Sequence, residues 1–364
     1  MDKFIAALEM RKQNNALRGL KVEQGLVDFS SNDYLGFATE FKENDSVNLL
    51  EGSTGSRLLT GNTEFAENLE QELAEKFKSE SALIFTSGYI ANLGLISCVA
   101  DRNDTIVYDE LCHASIRDAI KLSNARSYSF KHNSLEHLKS KLDKATGNIF
   151  VVVESVYSMD GDVSPLKGIV DLSKSIDFKL FVDEAHSVGY HGKNGEGLVV
   201  ELGLEKDVYA RVVTFGKALG SHGAMVLGSY VLRDYLINFS RPFIYTTALP
   251  KHSLLSIKKA VDLMFSNSYK IIKTRHLSSL FRESICLSND LVISNQSAIQ
   301  SVLIPGNNKV KKVTEELKYN GFDVRPILSP TVPKGKERIR ICLHAFNTEK
   351  QVEDLCELLN KIVK

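Results

Sequence analysis

Two short apolar segments decide the fold of this chain: KLFVDEAH, from Lys179 to His186, and RVVTFGKALG, from Arg211 to Gly220. In each segment a run of β-branched and aromatic residues of strand length ends abruptly at polar residues. These polar residues are Asp183 and His186 in the first segment and Thr214 and Lys217 in the second. Because ligands of open α/β sheets bind beyond the carboxyl ends of the strands, we expect these side chains to share one site.

The acid and the lysine at these strand ends suit one cofactor, pyridoxal phosphate (PLP), which needs a partner for its ring nitrogen and an amine for a Schiff base. Each motif alone leaves another interpretation open. Asp-x-x-His follows strands in many α/β proteins, and a lysine near glycines is often a solvated turn residue. A metal could also use Asp183, His186 and His191, but no C-x-x-C or H-E-x-x-H spacing supports it, so we expect no metal.

Length and composition exclude several classes of protein. The 364 residues are enough for two domains, and 45 basic residues balance 45 acidic ones, which gives no support to a nucleic-acid or membrane partner. Five scattered cysteines without a C-x-x-C pair are typical of a reduced, cytoplasmic protein. No apolar stretch reaches membrane-spanning length, and the N-terminus lacks a signal-peptide core.

Strands and helices alternate through the middle of the chain, which predicts an α/β fold with a mostly parallel sheet and helices on both faces. The strand ALIF (Ala82 to Phe85) leads through Ser87, Gly88 and Tyr89 into a helix, an arrangement that aims backbone N–H groups and the helix dipole at a phosphate. We predict an N-terminal helical arm at residues 1–28, a cofactor-binding large domain at 29–265 and a smaller C-terminal α+β domain at 266–364.

Several other positions are ambiguous by themselves. Asn32, in FSSNDYLGF, could lie near a pocket or in an ordinary loop. His113 follows a strand end, where its ring could stack on a planar group, but a histidine at a helix N-terminus often has no such role. Arg338 and Arg340 share one face of a strand, where one could bind a substrate carboxylate or both could lie on an exposed edge strand.

Ten motifs occur together in one order: FSSNDYLGF, GSTGSRLLTGN, FTSGYIANLG, DELCHASI, ESVYSMDGDVSPL, VDEAHSVGYHGKNGEG, VTFGKALG, FIYTTALP, SAIQSVLIPG and PTVPKGKERIRI. On these motifs the chain resembles the α-oxoamine synthases, PLP-dependent transferases of fold type I, from about Phe29 to the last helix. The resemblance implies a large domain with a mostly parallel seven-stranded sheet. It is nearest to members that condense L-alanine with a pimeloyl thioester, on CoA or acyl carrier protein, in biotin biosynthesis.

The resemblance also implies roles for individual residues. Lys217 would hold the cofactor and act as the base on the amino acid, Asp183 would bond the ring nitrogen, and His113 would stack on the ring. His186 and Ser158 would approach the phenolic oxygen of the ring. The phosphate would be bound by Ser87, Gly88, Tyr89 and Thr214, and by Thr246 and Thr247 from the neighbouring subunit of a homodimer. Arg340 and Asn32 would bind the amino-acid carboxylate.

Related reactions remain as alternatives. A sister enzyme could use glycine with acetyl-CoA or L-serine with a long-chain acyl-CoA. An aminotransferase shares the lysine and the aspartate but not the whole motif order. A non-catalytic protein that binds PLP or an acyl carrier could also keep the fold. His222, in the loop after Lys217, stands where the resemblance leads us to expect small residues, so the sequence does not determine the local shape of the pocket.

Overall fold

The computed structural model describes residues 3–17, 25–40, 52–288, 290–293 and 295–363. These form two compact units, a larger one of Leu35–Tyr157 and Val163–Ile271 and a smaller one of Met1–Tyr34, Ser158–Asp162 and Ile272–Lys364. The predicted boundaries at residues 28 and 265 divide the chain differently, because they place 29–34 and 158–162 in the large domain and 266–271 in the small one. Residues 1–2 and 18–24 of the predicted N-terminal arm lie outside the described residues, as do residues 41–51.

The strands are short, mostly of five residues. They are β1 Val27–Asp28, β2 Ser81–Phe85, β3 Thr105–Asp109, β4 Arg126–Phe130, β5 Ile149–Glu154, β6 Lys179–Asp183, β7 Ala210–Thr214, β8 Ala224–Gly228, β9 Val292–Ile293, β10 Ile299–Leu303, β11 Phe322–Asp323, β12 Arg325–Ile327 and β13 Arg338–Cys342.

Most of the helices are longer, and most strands of the larger unit alternate with them. They are α1 Lys3–Gln13, α2 Glu64–Lys76, α3 Gly88–Val99, α4 Ala114–Ser123, α5 Leu135–Leu142, α6 Leu166–Ser173, α7 Leu198–Glu201, α8 Tyr230–Phe239, α9 Arg241–Ile244, α10 Lys251–Ser266, α11 Ser268–Ser284, α12 Asn307–Tyr319 and α13 Glu349–Ile362, with a 3-10 helix at Phe37–Thr39.

The larger unit contains one seven-stranded sheet in the order β2-β8-β7-β6-β5-β3-β4. The pairs β3–β4, β3–β5, β5–β6 and β6–β7 are parallel, and β8 is antiparallel to both of its neighbours. The prediction of a mostly parallel sheet is confirmed. Helices cover both faces: in β5, Phe150 and Val152 pack on the side of α3 and α4, whereas Val151 and Val153 pack on the side of α5 and α6.

The two segments that decide the fold become neighbouring central strands, β6 and β7. They are parallel, with Asp183 in register with Val212, so both strands deliver their carboxyl ends to the same edge of the sheet. Directly after β6, Glu184 is fully buried and forms an ion pair with Arg211 at 2.7 Å. The same guanidinium donates to the carbonyl oxygens of Phe77 and Glu196, at 2.6 and 3.0 Å. This pair fixes the turn that follows Asp183.

The smaller unit contains a four-stranded antiparallel sheet in the order β12-β13-β10-β9 and a two-stranded parallel pair of β1 and β11. β13 therefore lies inside its sheet, and the alternative that Arg338 and Arg340 occupy an exposed edge strand is wrong. Arg338 is buried and forms an ion pair with Asp160. None of the helices among the described residues is long and apolar enough to cross a membrane.

We expect Arg211→Met to destabilise the protein by about 3–5 kcal/mol, because it leaves the fully buried Glu184 without its positive partner. Equilibrium denaturation of purified protein measures this loss. The matched control is Lys174→Met, which breaks the exposed pair with Asp171 on α6 and should change the stability by less than about 1 kcal/mol. Equal effects of the two substitutions would contradict a structural role for the buried pair.

Candidate active site

A cavity of about 200 Å³ lies in the larger unit at the carboxyl ends of the strands. It is lined by Ser87, Gly88, Tyr89, Asn92, His113, Ser115, Glu154, Asp183, Ala185, His186, Thr214, Gly216, Lys217, His222 and Gly223. Eight of the predicted site residues are among them. The strands β2, β3, β5, β6 and β7 all contribute, either with their last residue or with the loop that follows, as expected for a ligand site of an open α/β sheet.

Asp183, the last residue of β6, supplies a buried carboxylate. Its Oδ2 accepts a hydrogen bond from Asn92 at 2.7 Å, and its Oδ1 accepts one from the backbone N–H of Ala185 at 2.9 Å. Burial raises the pKa of Asp183. The hydrogen bonds from Asn92 and Ala185 and the charges of His113 and Lys217 lower this pKa, but they offset the effect of burial only in part. The carboxylate therefore lies in a place that favours a cationic ligand group beside it.

His113 lies at the mouth of the cavity as the N-cap of α4. Its backbone N–H donates to Glu154 at 2.6 Å, and its ring meets the Tyr89 ring edge-on, with centroids 6.5 Å apart. Partial enclosure lowers the pKa of His113 and the charge of Lys217 lowers it further, while the Asp183 and Asp118 carboxylates act against this. The imidazole is thus held neutral between charges of both signs.

Lys217 is half-buried in the loop that follows β7, and it shares the cavity with Asp183, His113 and His186. The loop is short because β8 returns beside β7, with Phe215 N–H donating to Gly223 at 2.9 Å. His222 is exposed and also lines the cavity, so the larger side chain is accommodated at the rim.

The cavity ends at the first turn of α3, where the backbone N–H groups have no intrahelical acceptor. Gly88 begins this helix, and a Cβ atom on it would come within 2.4 Å of Thr214 Cγ2. The Thr214 hydroxyl is buried and has no hydrogen-bond partner within the described part of the chain. The phosphate of PLP fits beside Gly88, the N-terminus of α3 and the Thr214 hydroxyl. The ring and aldehyde of PLP fit the Asp183 carboxylate, the His113 imidazole and the Lys217 amine.

Thr246 and Thr247 line a different and much smaller cavity of the larger unit, together with Arg57 and Thr86. The structure therefore does not bring them to the Lys217 cavity of the same chain. Arg57 binds Glu70 with two N–H groups, at 2.8 and 3.2 Å, and so is already neutralised.

Ser158, Asn32 and Arg340 belong to the smaller unit, where the structure brings them together. Arg340, on β13, donates to the Ser158 carbonyl oxygen at 3.0 Å and to Asn32 Oδ1 at 3.1 Å. The segment that carries Asn32 is held in turn by His344, which is fully buried and lies 3.1 Å from the Ser31 hydroxyl. This group presents one guanidinium with a fixed orientation, as binding of a carboxylate requires.

The sequence analysis missed Asn92, Ser115 and His344 as parts of these arrangements. Asn92 and Ser115 are buried polar residues within helices, and for Asn92 the available signal was an amide side chain in the largely apolar α3. Across the described ranges, no cluster of three or more His, Cys, Asp or Glu side chains could hold a metal ion.

Comparison with known proteins gives consistent matches over nearly the whole chain. The profile of the aminotransferase class I and II family matches residues 24–359. The chain is 38% identical to 8-amino-7-oxononanoate synthase of Emericella nidulans, over 98% of this chain and 94% of that protein.

Two solved structures share the fold. A serine palmitoyltransferase of S. paucimobilis with bound PLP and myriocin superposes with a TM-score of 0.87 at 25% identity, covering 99% of this chain and 96% of that one. The crystal structure of 8-amino-7-oxononanoate synthase from Francisella tularensis gives 0.77 at 29% identity, covering 93% and 98%.

The raised pKa of Asp183 predicts how the variant Asp183→Asn differs from the wild type in stability. From about pH 4 upward the unfolded chain loses the Asp183 proton while the folded chain keeps it, so wild-type stability falls with rising pH in this window. The free energy of unfolding of the cofactor-free variant minus that of the wild type should therefore increase with pH. Any mismatch of hydrogen bonds in the variant only shifts the baseline, and comparing both proteins in a His113→Gln background removes the titration of His113, which the Asp183 charge also influences.

Denaturant unfolding of both cofactor-free proteins between about pH 4 and 8 measures this difference. Asp171→Asn, which removes an exposed carboxylate on α6, is the control and should lack this rise with pH. A difference that stays flat or falls with pH for Asp183→Asn would show that burial does not raise this pKa.

Proposed function

The chain belongs to the aminotransferase class I and II family, in its α-oxoamine synthase branch, and we propose that it condenses L-alanine with a pimeloyl thioester to give 8-amino-7-oxononanoate for biotin biosynthesis. It is a PLP-dependent acyltransferase. The carrier of the acyl group would be CoA or acyl carrier protein. The products would be the amino ketone, carbon dioxide and the free thiol of the carrier.

The observation that carries this proposal is the cavity in which Lys217, Asp183 and His113 meet. The amine, the buried carboxylate and the neutral ring lie on separate strand ends, and Thr214 and Gly88 close the cavity at the start of α3. No single short motif fixes this combination. Together with nearly full-length similarity to 8-amino-7-oxononanoate synthases, it supports the proposed reaction more strongly than the fold alone.

When bound, PLP supplies an electron sink that stabilises negative charge at Cα of the amino acid. Asp183 would keep the pyridine nitrogen protonated, because a buried carboxylate gains most from a cationic partner. Lys217 would bind the aldehyde carbon of the cofactor and, once displaced by alanine, would take the proton from alanine Cα. His113 would cover the ring, and Thr214 with the first turn of α3 would hold the phosphate.

The remaining steps consume one proton from the solvent, because the released thiolate and Cα each need a proton and Lys217 has taken only one. Cα of alanine forms a bond to the thioester carbonyl carbon, and the bond from that carbon to sulfur breaks to release the thiol. The alanine carboxylate would then leave as carbon dioxide, and Lys217 would return a proton to Cα. Arg340, positioned by Asn32 and Ser158, would bind the alanine carboxylate before it leaves.

The fold alone does not separate this reaction from that of serine palmitoyltransferases, since both types superpose closely on the chain. Sequence identity is higher to the 8-amino-7-oxononanoate synthases, and this favours alanine and a pimeloyl group.

We also propose a homodimer with shared sites. Its support is that Thr246 and Thr247 lie outside the Lys217 cavity of their own chain, next to Tyr245, which is 73% exposed. In a dimer they would reach the phosphate in the other subunit.

The first test is thiol release by PLP-loaded protein with three substrate pairs. L-alanine with pimeloyl thioester should react, whereas glycine with acetyl-CoA and L-serine with a long-chain acyl-CoA should give little release. Lys217→Ala should abolish release while the exposed control Lys174→Ala keeps it. Release with another pair would move the protein to a sister reaction, and substantial turnover by Lys217→Ala would refute the assignment of the base.

A second test addresses Arg340. Arg340→Lys keeps the charge but loses the planar fork, so KM for L-alanine should rise about tenfold or more while KM for the thioester stays unchanged. Arg325→Lys is the matched control, because Arg325 lies opposite Arg340 in the β12–β13 register and pairs with Asp323. Steady-state kinetics with each substrate varied in turn separates the two constants. A rise in the thioester KM alone would assign Arg340 to the acyl group instead.

A further inference from the structure

A chain of hydrogen bonds connects the carboxylate of Asp183 to the ring of His113. Asn92 on α3 and Ser115 on α4 form the middle of this chain, and both are buried, with 3% and 0% of their surface exposed. Asn92 Nδ2 lies 2.7 Å from Asp183 Oδ2 and 3.1 Å from Ser115 Oγ. Ser115 Oγ lies 2.8 Å from His113 Nδ1.

The chemistry of these groups gives the chain one direction. A carboxamide nitrogen carries two N–H groups and can only donate, so Asn92 donates one hydrogen to Asp183 and one to Ser115. Ser115 Oγ accepts from Asn92 and can turn its own hydrogen toward His113 Nδ1. The backbone N–H of Ser115 also donates to Nδ1, at 3.2 Å. Both donors require a lone pair on Nδ1, so the proton of the neutral ring must be on Nε2.

We propose that Asn92 and Ser115 are positioning residues of this site. The Asn92 amide orients the Asp183 carboxylate and, through the Ser115 hydroxyl, holds His113 in the tautomer protonated on Nε2. The effect on catalysis rests on the proposed function, in which a charged His113 would compete with the cofactor ring for the negative charge of Asp183.

The charged groups around His113 oppose one another, which is why a neutral hydrogen-bond chain can decide its state. The carboxylates of Asp183 and Asp118 favour the imidazolium, whereas enclosure and the Lys217 amine favour the neutral ring. A hydroxyl that donates to Nδ1 stabilises the neutral form alone. Like the Lys217 amine, this hydroxyl favours the neutral ring, but it adds no charge.

The tautomer can be measured on the cofactor-free wild-type protein, so this test does not depend on the proposed reaction. Nitrogen-15 NMR of protein labelled at histidine distinguishes a protonated from an unprotonated Nδ1, and the His113 signals are those missing from a His113→Gln spectrum. We expect a neutral His113 with its proton on Nε2. A proton on Nδ1 of His113 would overturn the proposal.

Variants test the two positioning residues. Asn92→Leu removes both donors at similar volume and adds no charge, and Ser115→Ala removes the hydroxyl; each should raise the pKa of His113 in an NMR titration. Asn92→Leu should also weaken PLP binding about tenfold in equilibrium dialysis, because Asp183 loses a charge-assisted donor. Asn238→Leu, the same change on the exposed face of α8, is the control and should leave both values at wild type. Wild-type values in Asn92→Leu, or an unchanged His113 pKa in Ser115→Ala, would refute the corresponding role.

Discussion

Burial of the Asp183 carboxylate is the constraint on which the rest of the larger unit depends. An ionised group at the end of a central strand is costly unless donors or an opposite charge compensate it. Here the donors come from two places, the N–H of Ala185 two residues further along and the amide of Asn92 on a separate helix. The position of α3 over the sheet is therefore part of the site, as well as part of the core.

The next residue, Glu184, is also a buried carboxylate, but it has a different environment. Because successive side chains of an extended chain point to opposite faces, Glu184 turns away from the cavity and meets Arg211 of the neighbouring strand. Its N–H donates to the Val212 carbonyl oxygen, which continues the β6–β7 ladder by one residue. The two adjacent carboxylates thus have different roles. Asp183 lines the cavity, and Glu184 anchors the turn that carries His186.

The strand ends could be predicted from the sequence because their signals are local. An apolar run that stops at Asp183 or Thr214 defines both the strand and the edge of the sheet at which the side chain emerges. Asn92 and Ser115 could not be placed, because their partners are 91 and 23 residues apart in sequence and meet only when α3 and α4 pack together. The spacing indicated Arg338 and Arg340 alike and the family resemblance singled out Arg340, but its hydrogen bond to Asn32 joins residues 308 apart in sequence.

The cavity residues and the group around Arg340 have separate hydrogen bonds, and this indicates where similar enzymes can differ. A sheet that delivers an amine, a carboxylate and a phosphate cradle to one edge supports bond formation at an amino-acid Cα whatever acyl group follows, so structures with different substrates share it. Selection among amino acids must then come from groups that meet the side chain, because the carboxylate is common to all of them. Arg340 and Asn32, which we propose to bind that carboxylate, lie in the smaller unit beside the segment held by the buried His344, and their hydrogen bonds do not depend on the Asp183 network. Changes there would therefore weaken binding of the amino acid while the cofactor chemistry proposed for Lys217 stays intact.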